Sequence, residues 1–149
     1  MNWLIFLMAL ATIPADAREA VDSPEVVRFV QSIGPPMSQL KVKGGDADKI
    51  IYIARNDSEL LVGGIEVRGH NGDWGPIPEP ARTIAVLRTR PRIDPNINEL
   101  DASFVRRTHV PLFVMSETGS PRFREIAEHD GKLMVRDIDK GATGPWRQP

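Results

Sequence analysis

The pattern of apolar and polar residues predicts one amphipathic helix near the start of the chain, over residues 23–34. Ser23 is a typical N-cap residue, and Pro24 fits the first helical turn. Gly34, which is followed by two prolines, is expected to end the helix. Four apolar residues between these signals recur at helical spacing and form one stripe: Val26, Val27, Val30 and Ile33. We therefore expect this stripe to pack on a sheet.

Most of the remaining pattern is typical of β-strands, which alternate apolar and polar residues or are apolar throughout. Residues 49–54 are apolar on both faces, which predicts a central strand. The pair Gly63-Gly64 predicts a bulge inside a later strand. The strands predicted up to residue 116 cover 39–43, 49–54, 60–68, 82–90 and 110–116.

Residues 120–137 allow two interpretations. A second helix could occupy 120–131, or Asp130-Gly131 could form the two-residue turn of a hairpin between strands at 125–129 and 132–137. The Asp-Gly pair favours the hairpin. The tail from about residue 141, which contains two Gly and two Pro, is expected to be extended and partly mobile.

Together these elements predict a mainly β (β-rich α+β) fold in a single globular domain over residues 18–149. We expect an antiparallel sandwich or open barrel of about seven short strands, with the N-terminal amphipathic helix packed on it. Two long connections, 69–81 and 91–107, are where binding or catalytic residues are expected, because long loops in a compact domain are often functional.

Residues 1–17 have the layout of a secretory signal peptide. An apolar run from residue 3 to 13 is followed by Pro14 and by Ala15-Asp16-Ala17, which predicts cleavage before Arg18. Its apolar core would reach only about 16 Å as a helix, too short to span a bilayer. The segment before the run carries no Lys or Arg, so a buried N-terminal helix or an uncleaved interfacial anchor remains the alternative.

Composition narrows the class of protein. The 149 residues include no cysteine, which excludes disulfides, thiolate zinc sites, thiol nucleophiles and cysteine-linked lipid anchors. Lys and Arg number 19 against 20 Asp and Glu, which argues against a nucleic-acid binder. An exported chain without disulfides is more typical of bacteria, so we expect a periplasmic or secreted bacterial protein.

The loop after residue 68 holds the first candidate for chemistry. His70 could act as a base, Asp73 could orient it, and Trp74 offers a stacking face. The same residues also fit a tight Asn71-Gly72 turn in which Trp74 covers the edge of the core, and the pattern favours this second interpretation.

The second candidate is the alternation of Arg88, Arg90 and Arg92. The first two guanidinium groups share one face of a strand end, and Arg92 continues the line if the chain stays extended. With Arg106, Arg107, Arg122 and Arg124, they could bind a phosphate, a carboxylate or a polyanionic envelope component. A solvated face with Asp and Glu partners is the favoured alternative.

Metal and cofactor chemistry is not indicated. The three histidines, His70, His109 and His129, lack the spacing of metal-binding motifs, and no nucleophile elbow or phosphate-binding glycine loop occurs. We expect no metal and no cofactor.

The sequence therefore favours a small exported, non-enzymatic binding or envelope-associated protein of unknown ligand. Its partner would be an anionic envelope component or a protein, with no nucleic acid and no membrane span after cleavage. The alternative is a periplasmic hydrolase or lyase that uses His70 and Asp73 with nearby arginines. A weaker possibility is an enzyme inhibitor that inserts the 69–81 loop, which requires an exposed Trp74.

Overall fold

The structure is a computed structural model of the chain and describes residues 20–41, 48–68, 74–90, 97–116, 122–139 and 142–149. A 3₁₀ turn at Ala20–Asp22 precedes two α-helices, α1 (Pro24–Ser38) and α2 (Glu99–Thr108). The seven described strands are β1 (Asp48–Asn56), β2 (Glu59–Arg68), β3 (Thr83–Arg90), β4 (Leu112–Ser116), β5 (Phe123–His129), β6 (Lys132–Asp139) and β7 (Ala142–Thr143).

The seven strands form one sheet in the order β2-β1-β3-β4-β5-β6-β7. A mainly β fold with seven strands is therefore confirmed, while the sandwich or open barrel stays a prediction. The expectation of antiparallel pairing is wrong for one pair, because β3 and β4 are parallel. Parallel neighbours need a crossover connection, and here the crossover contains α2. The long loop predicted at 91–107 is accordingly helical from Glu99 onward.

The two helices lie on opposite faces of the sheet. Side chains of a strand alternate between faces, and along β1 Ile51 and Ile53 contact the cluster under α1, whereas Ile50 and Tyr52 contact the cluster under α2. We call these the α1 face and the α2 face. The predicted packing of the first helix on a sheet is confirmed, and β1 is the predicted central strand, since β2 and β3 flank it.

Helix α1 does not end at Gly34 as predicted but continues to Ser38, through Pro35 and Pro36. The glycine has a packing role instead. A Cβ at this position would lie 2.8 Å from Sδ of Met115 and 3.0 Å from the ring of Phe123. Gly34 therefore lets the end of α1 approach the sheet closely.

Two local predictions about turns and strands are confirmed. The register of β1 against β2 shifts between Tyr52 and Ile53, opposite Gly63-Gly64, as expected for a bulge. Asp130 and Gly131 connect β5 and β6 with φ of 51° and 76°, the left-handed conformation of a tight hairpin turn.

The strand predicted at 39–43 is wrong for residues 39–41. These residues follow α1 and pair with no strand, and residues 42–47 lie outside the described residues.

The C-terminal tail lies along β6. Ala142–Thr143 pair with β6, and further along the tail Arg147 forms an isolated bridge to Val135. The described part of the tail is thus extended, as predicted.

Neither helix in the described residues is long and apolar enough to cross a membrane.

Candidate functional site

Several polar residues meet on the α2 face at one end of the sheet. Asp48 starts β1, and Arg90 ends β3, next to Asp48 in the register of these strands. Arg90 is also level with Ser116, the last residue of the parallel strand β4. Helix α2 runs back from this end, so its first turn lies there too and brings in Asp101. In open, mostly parallel sheets, binding sites commonly lie at the carboxyl ends of the strands; here the carboxyl ends of the one described parallel pair, β3 and β4, lie at this end.

Three of these residues and Arg88 form a buried ion cluster, which we define as Asp48, Arg88, Arg90 and Asp101. Nε of Arg88 donates to Oδ2 of Asp48 at 2.7 Å, and Nη1 of Arg88 lies 3.4 Å from Oδ1 of Asp101. Nη2 of Arg90 donates to Oδ2 of Asp101 at 2.7 Å, and its Nε reaches Oδ2 of Asp48 at 3.3 Å. Each guanidinium thus contacts both carboxylates, and the charges of the cluster balance.

The alternation of arginines predicted a shared face for Arg88 and Arg90, and the two side chains do share one. Their carboxylate partners were also expected, but the face is buried rather than solvated, with Arg88 0% and Arg90 6% exposed. Charges at this depth need balanced partners, because an unpaired buried charge is strongly unfavourable. Arg92 lies outside the described residues.

Asp101 is held by the start of its own helix. Asn98 is the N-cap residue, and its side chain accepts a hydrogen bond from the backbone N–H of Asp101, while Oδ2 of Asp101 accepts one from the backbone N–H of Asn98. This reciprocal pair is a capping box. Its spacing, Asn-x-x-Asp, is visible in the sequence and would have revealed both α2 and Asp101.

Trp74 joins the loop candidate to the arginine candidate. Its Nε1 donates to Oδ1 of Asp101 at 3.2 Å, and its ring stacks on Phe104 of α2 with centroids 4.0 Å apart. The guanidinium carbon of Arg88 lies 5.0 Å from the centre of the Trp74 ring. From the sequence, Trp74 and the arginines were two separate candidates. In the structure, their contacts with Asp101 bring them into one site.

Trp74 is 7% exposed and belongs to the core under α2, which confirms that it covers the edge of the core. The inhibitor hypothesis required an exposed Trp74 and is contradicted by this burial. His70 and Asp73 lie outside the described residues, so their roles stay predictions. A shallow cavity of about 330 Å³ beside Trp74 is lined by Gly75, Pro76, Ile77, Arg107 and Thr108 as well.

Arg122 extends the polar end of the sheet beyond the ion cluster. Its backbone carbonyl accepts hydrogen bonds from the backbone N–H of Ser116 at 3.0 Å and from Oγ of Ser116 at 3.4 Å. Nε of Arg122 is buried and has no hydrogen-bond partner among the described residues. A buried donor of this kind costs free energy unless a ligand or water satisfies it.

A second buried pair lies on the α1 face. Nη2 of Arg136 donates to Oε1 of Glu125 and to the carbonyl of Val21, each at 3.0 Å. The ring of Trp146 covers the guanidinium at 4.4 Å. Burial raises the pKa of Glu125 to about 8, against the opposing effect of Arg136. The carboxyl group of Glu125 therefore binds a proton more readily than that of an exposed glutamate.

Two further groups have shifted pKa values. Burial raises the pKa of Tyr52 to about 12, with a contribution from Glu66. For Asp137, burial acts to raise the pKa, but hydrogen bonds from Arg124 and Arg147 outweigh it, so the pKa is lowered. Nε of Arg124 lies 2.8 Å from Oδ1 of Asp137, and Nη2 of Arg147 lies 2.9 Å from it.

Within the described ranges, no group of three or more His, Asp or Glu side chains could hold a metal ion. His109 contacts Glu128 at 2.8 Å, and His129 contacts Asp22 at 3.3 Å and Asp130 at 3.4 Å.

Comparison with known proteins finds no match for this chain among family models, curated proteins or solved structures.

Proposed function

We propose that this protein is an exported, non-enzymatic binding protein that holds an anionic group, a carboxylate or phosphate, at the polar end of the α2 face. The observation that carries the proposal is the guanidinium of Arg122, whose buried Nε lacks a partner among the described residues. A guanidinium presents paired donors that match the oxygens of both anions.

The neighbouring ion cluster supports the proposal by its charge balance. Arg88 and Arg90 are neutralised by Asp48 and Asp101, so they provide a rigid base for the site and leave Arg122 as its cationic group. Ser116 lies between Arg90 and Arg122 across the strands, and its hydroxyl donates to the backbone carbonyl of Arg122, which helps to fix Arg122 beside the ion cluster.

The cellular location in this proposal comes from the sequence. The apolar run and the Ala15-Asp16-Ala17 site favour export, and the lack of cysteine favours a bacterial periplasm. An anionic component of the bacterial envelope is a partner of suitable chemistry. The seven described strands form one sheet, and the sandwich or open barrel expected from the sequence stays a prediction.

Titration of the purified protein with inorganic phosphate, acetate and citrate, followed by amide chemical shifts, tests the proposal. We expect shifts centred on the ends of β3 and β4, and an affinity at least about tenfold weaker in Arg122→Gln. Arg106→Gln is the matched control, because Arg106 is an exposed arginine with only a 4.0 Å contact to Glu99.

Two outcomes would overturn the proposal. One is the absence of shifts with all three anions. The other is equal loss of affinity in Arg122→Gln and Arg106→Gln, which would indicate general attraction to positive charge rather than a site.

A further inference from the structure

The sheet has two edges, and the chain protects them differently. At the β6 edge, β7 and the tail pair with the strand, and the backbone N–H of Val135 donates to the carbonyl of Arg147 at 2.8 Å. At the other edge, β2 pairs with β1 on one side only, within the part of the chain that the structure describes. Its ten residues leave a row of outward-pointing backbone groups.

The open edge also carries apolar side chains. Ile65 and Val67 are 45% and 44% exposed, and together with Leu40 they are the exposed large apolar residues of the described ranges. They are two residues apart on one strand and so share a face of the sheet. Natural proteins usually protect an edge strand with charges, prolines or a covering segment, because an open apolar edge pairs with other chains.

The end of β2 is complementary to itself. Beyond the bulge, Gly64–Arg68 pairs regularly with β1, and Glu66 is the midpoint of this stretch. An antiparallel pairing of two copies about Glu66 would place Ile65 of each copy opposite Val67 of the other. Apolar side chains that lie directly opposite each other on neighbouring antiparallel strands stabilise the pairing of those strands.

The charges on the other face of β2 fit the same register. Nη2 of Arg68 lies 2.8 Å from Oε2 of Glu66 within one chain. In the paired arrangement each Glu66 would also lie diagonal to Arg68 of the second copy, within reach of a long side chain. The two Glu66 side chains would face each other at the two-fold axis, where like charges are unfavourable, and the two Arg68 side chains on the diagonals would offset this repulsion. The four side chains together carry no net charge, and a chain with a formal net charge of −1 adds little repulsion.

We propose that the protein forms a two-fold symmetric dimer in which β2 pairs antiparallel with β2 of a second copy, centred on Glu66. The dimer joins two seven-stranded sheets into one continuous sheet. This proposal is independent of the anion site, since it uses the edge strand and not Ser116 or Arg122.

Sedimentation equilibrium of the protein, purified after expression of the full chain, tests the proposal. We expect a dimer whose dissociation constant rises at least about tenfold in Ile65→Lys. Leu40→Lys is the matched control, because it places the same charge at a residue that is 47% exposed but lies outside β2. A protein that stays monomeric up to about 1 mM would overturn the proposal, as would equal effects of the two substitutions.

A charge exchange tests the register itself. Glu66→Arg and Arg68→Glu each remove the ion pair between Glu66 and Arg68 within one chain. A dimer of the first variant would bring four positive charges together, and a dimer of the second would bring four negative charges together. Both are expected to weaken self-association, whereas an equimolar mixture should form the mixed dimer with affinity near that of the unmodified protein. Failure of the mixture to associate, with both variants folded by circular dichroism, would contradict the pairing.

Discussion

Arg90 and Asp101 are joined by a 2.7 Å hydrogen bond between Nη2 and Oδ2, and both side chains are buried. The pair connects the end of β3 to the first turn of α2, the helix that follows it. It therefore fixes the start of the crossover that makes β3 and β4 parallel. The same carboxylate anchors Trp74 and caps α2, so one side chain joins three parts of the site.

Substitution of Asp101 by Asn should lower the free energy of unfolding by about 3–5 kcal/mol, because it leaves the buried guanidinium groups with too little negative charge. Glu99→Gln is the control, since Glu99 lies in the same helical turn with a side chain that is 94% exposed. Its change should stay within about 0.5 kcal/mol. Urea denaturation of both variants measures the difference, and similar losses would mean that the ion cluster has no special role.

Gly34→Ala tests the close packing of α1 on the sheet. In an open helical position this change would stabilise the protein by up to about 1 kcal/mol. At Gly34 the new Cβ would lie 2.8 Å from Sδ of the fully buried Met115, so we expect destabilisation by about 1–2 kcal/mol. Thermal unfolding decides the sign. Ser32→Ala, on the exposed side of the same helix, should have little effect.

Glu125 should make stability fall as the pH rises. Its pKa is 4.5 in the unfolded reference and about 8 in the folded protein, mainly because of burial. Between these values the folded state holds a proton that the unfolded state has released, so the free energy of unfolding decreases with pH. Glu125→Gln should remove this contribution and so make the slope less negative. Urea denaturation at a series of pH values from 5 to 8 measures it, and equal slopes in both proteins would contradict the prediction.

Asp137 should make the stability of the protein fall as the pH is lowered into the acidic range, which is the opposite of the pH dependence expected from Glu125. Its pKa lies below 3.8 in the folded protein, because hydrogen bonds from Arg124 and Arg147 outweigh the effect of burial. The stabilisation is present above that value and is lost as the pH falls through the lowered pKa. Asp137→Asn should reduce the acid sensitivity of thermal unfolding. Asp57→Asn, in the exposed β1–β2 turn, should leave it unchanged.

Intact mass after expression in a bacterium tests the predicted export. We expect the protein in the periplasm with a mass that starts at Arg18, because Ala15 and Ala17 are the small residues that signal cleavage requires. Ala17→Phe should block cleavage, while Asp16→Asn should not. A full-length protein in the cytosol would favour the alternative of a buried N-terminal helix.

Local features of the fold were predictable from neighbouring residues. The N-cap Ser23, the Asp130-Gly131 turn and the bulge at Gly63-Gly64 each depend on conformations that a few adjacent residues favour, and the structure contains all three. Helix α2 was missed although its capping box is present, because its short apolar pattern was outweighed by the Pro- and Asn-rich segment before it.

The candidate site was predictable only in part. Trp74, Arg88 and Arg90 were found from side-chain chemistry and period, but their common partner Asp101 was not. The contact between Arg88 and Asp48 joins residues 40 positions apart, and no local pattern encodes such a pairing. Burial of the arginines depends on α2 covering them, which in turn depends on the parallel placement of β4.

The sequence by itself thus determined the class of fold, the first helix, most strand positions and the tight turns, because these follow from periodicity and from backbone preferences of neighbouring residues. The tertiary structure alone decided which strands are adjacent, which face each helix covers and which charges meet. These outcomes depend on packing between segments distant in sequence, where the burial of apolar surface and the pairing of buried charges select one arrangement.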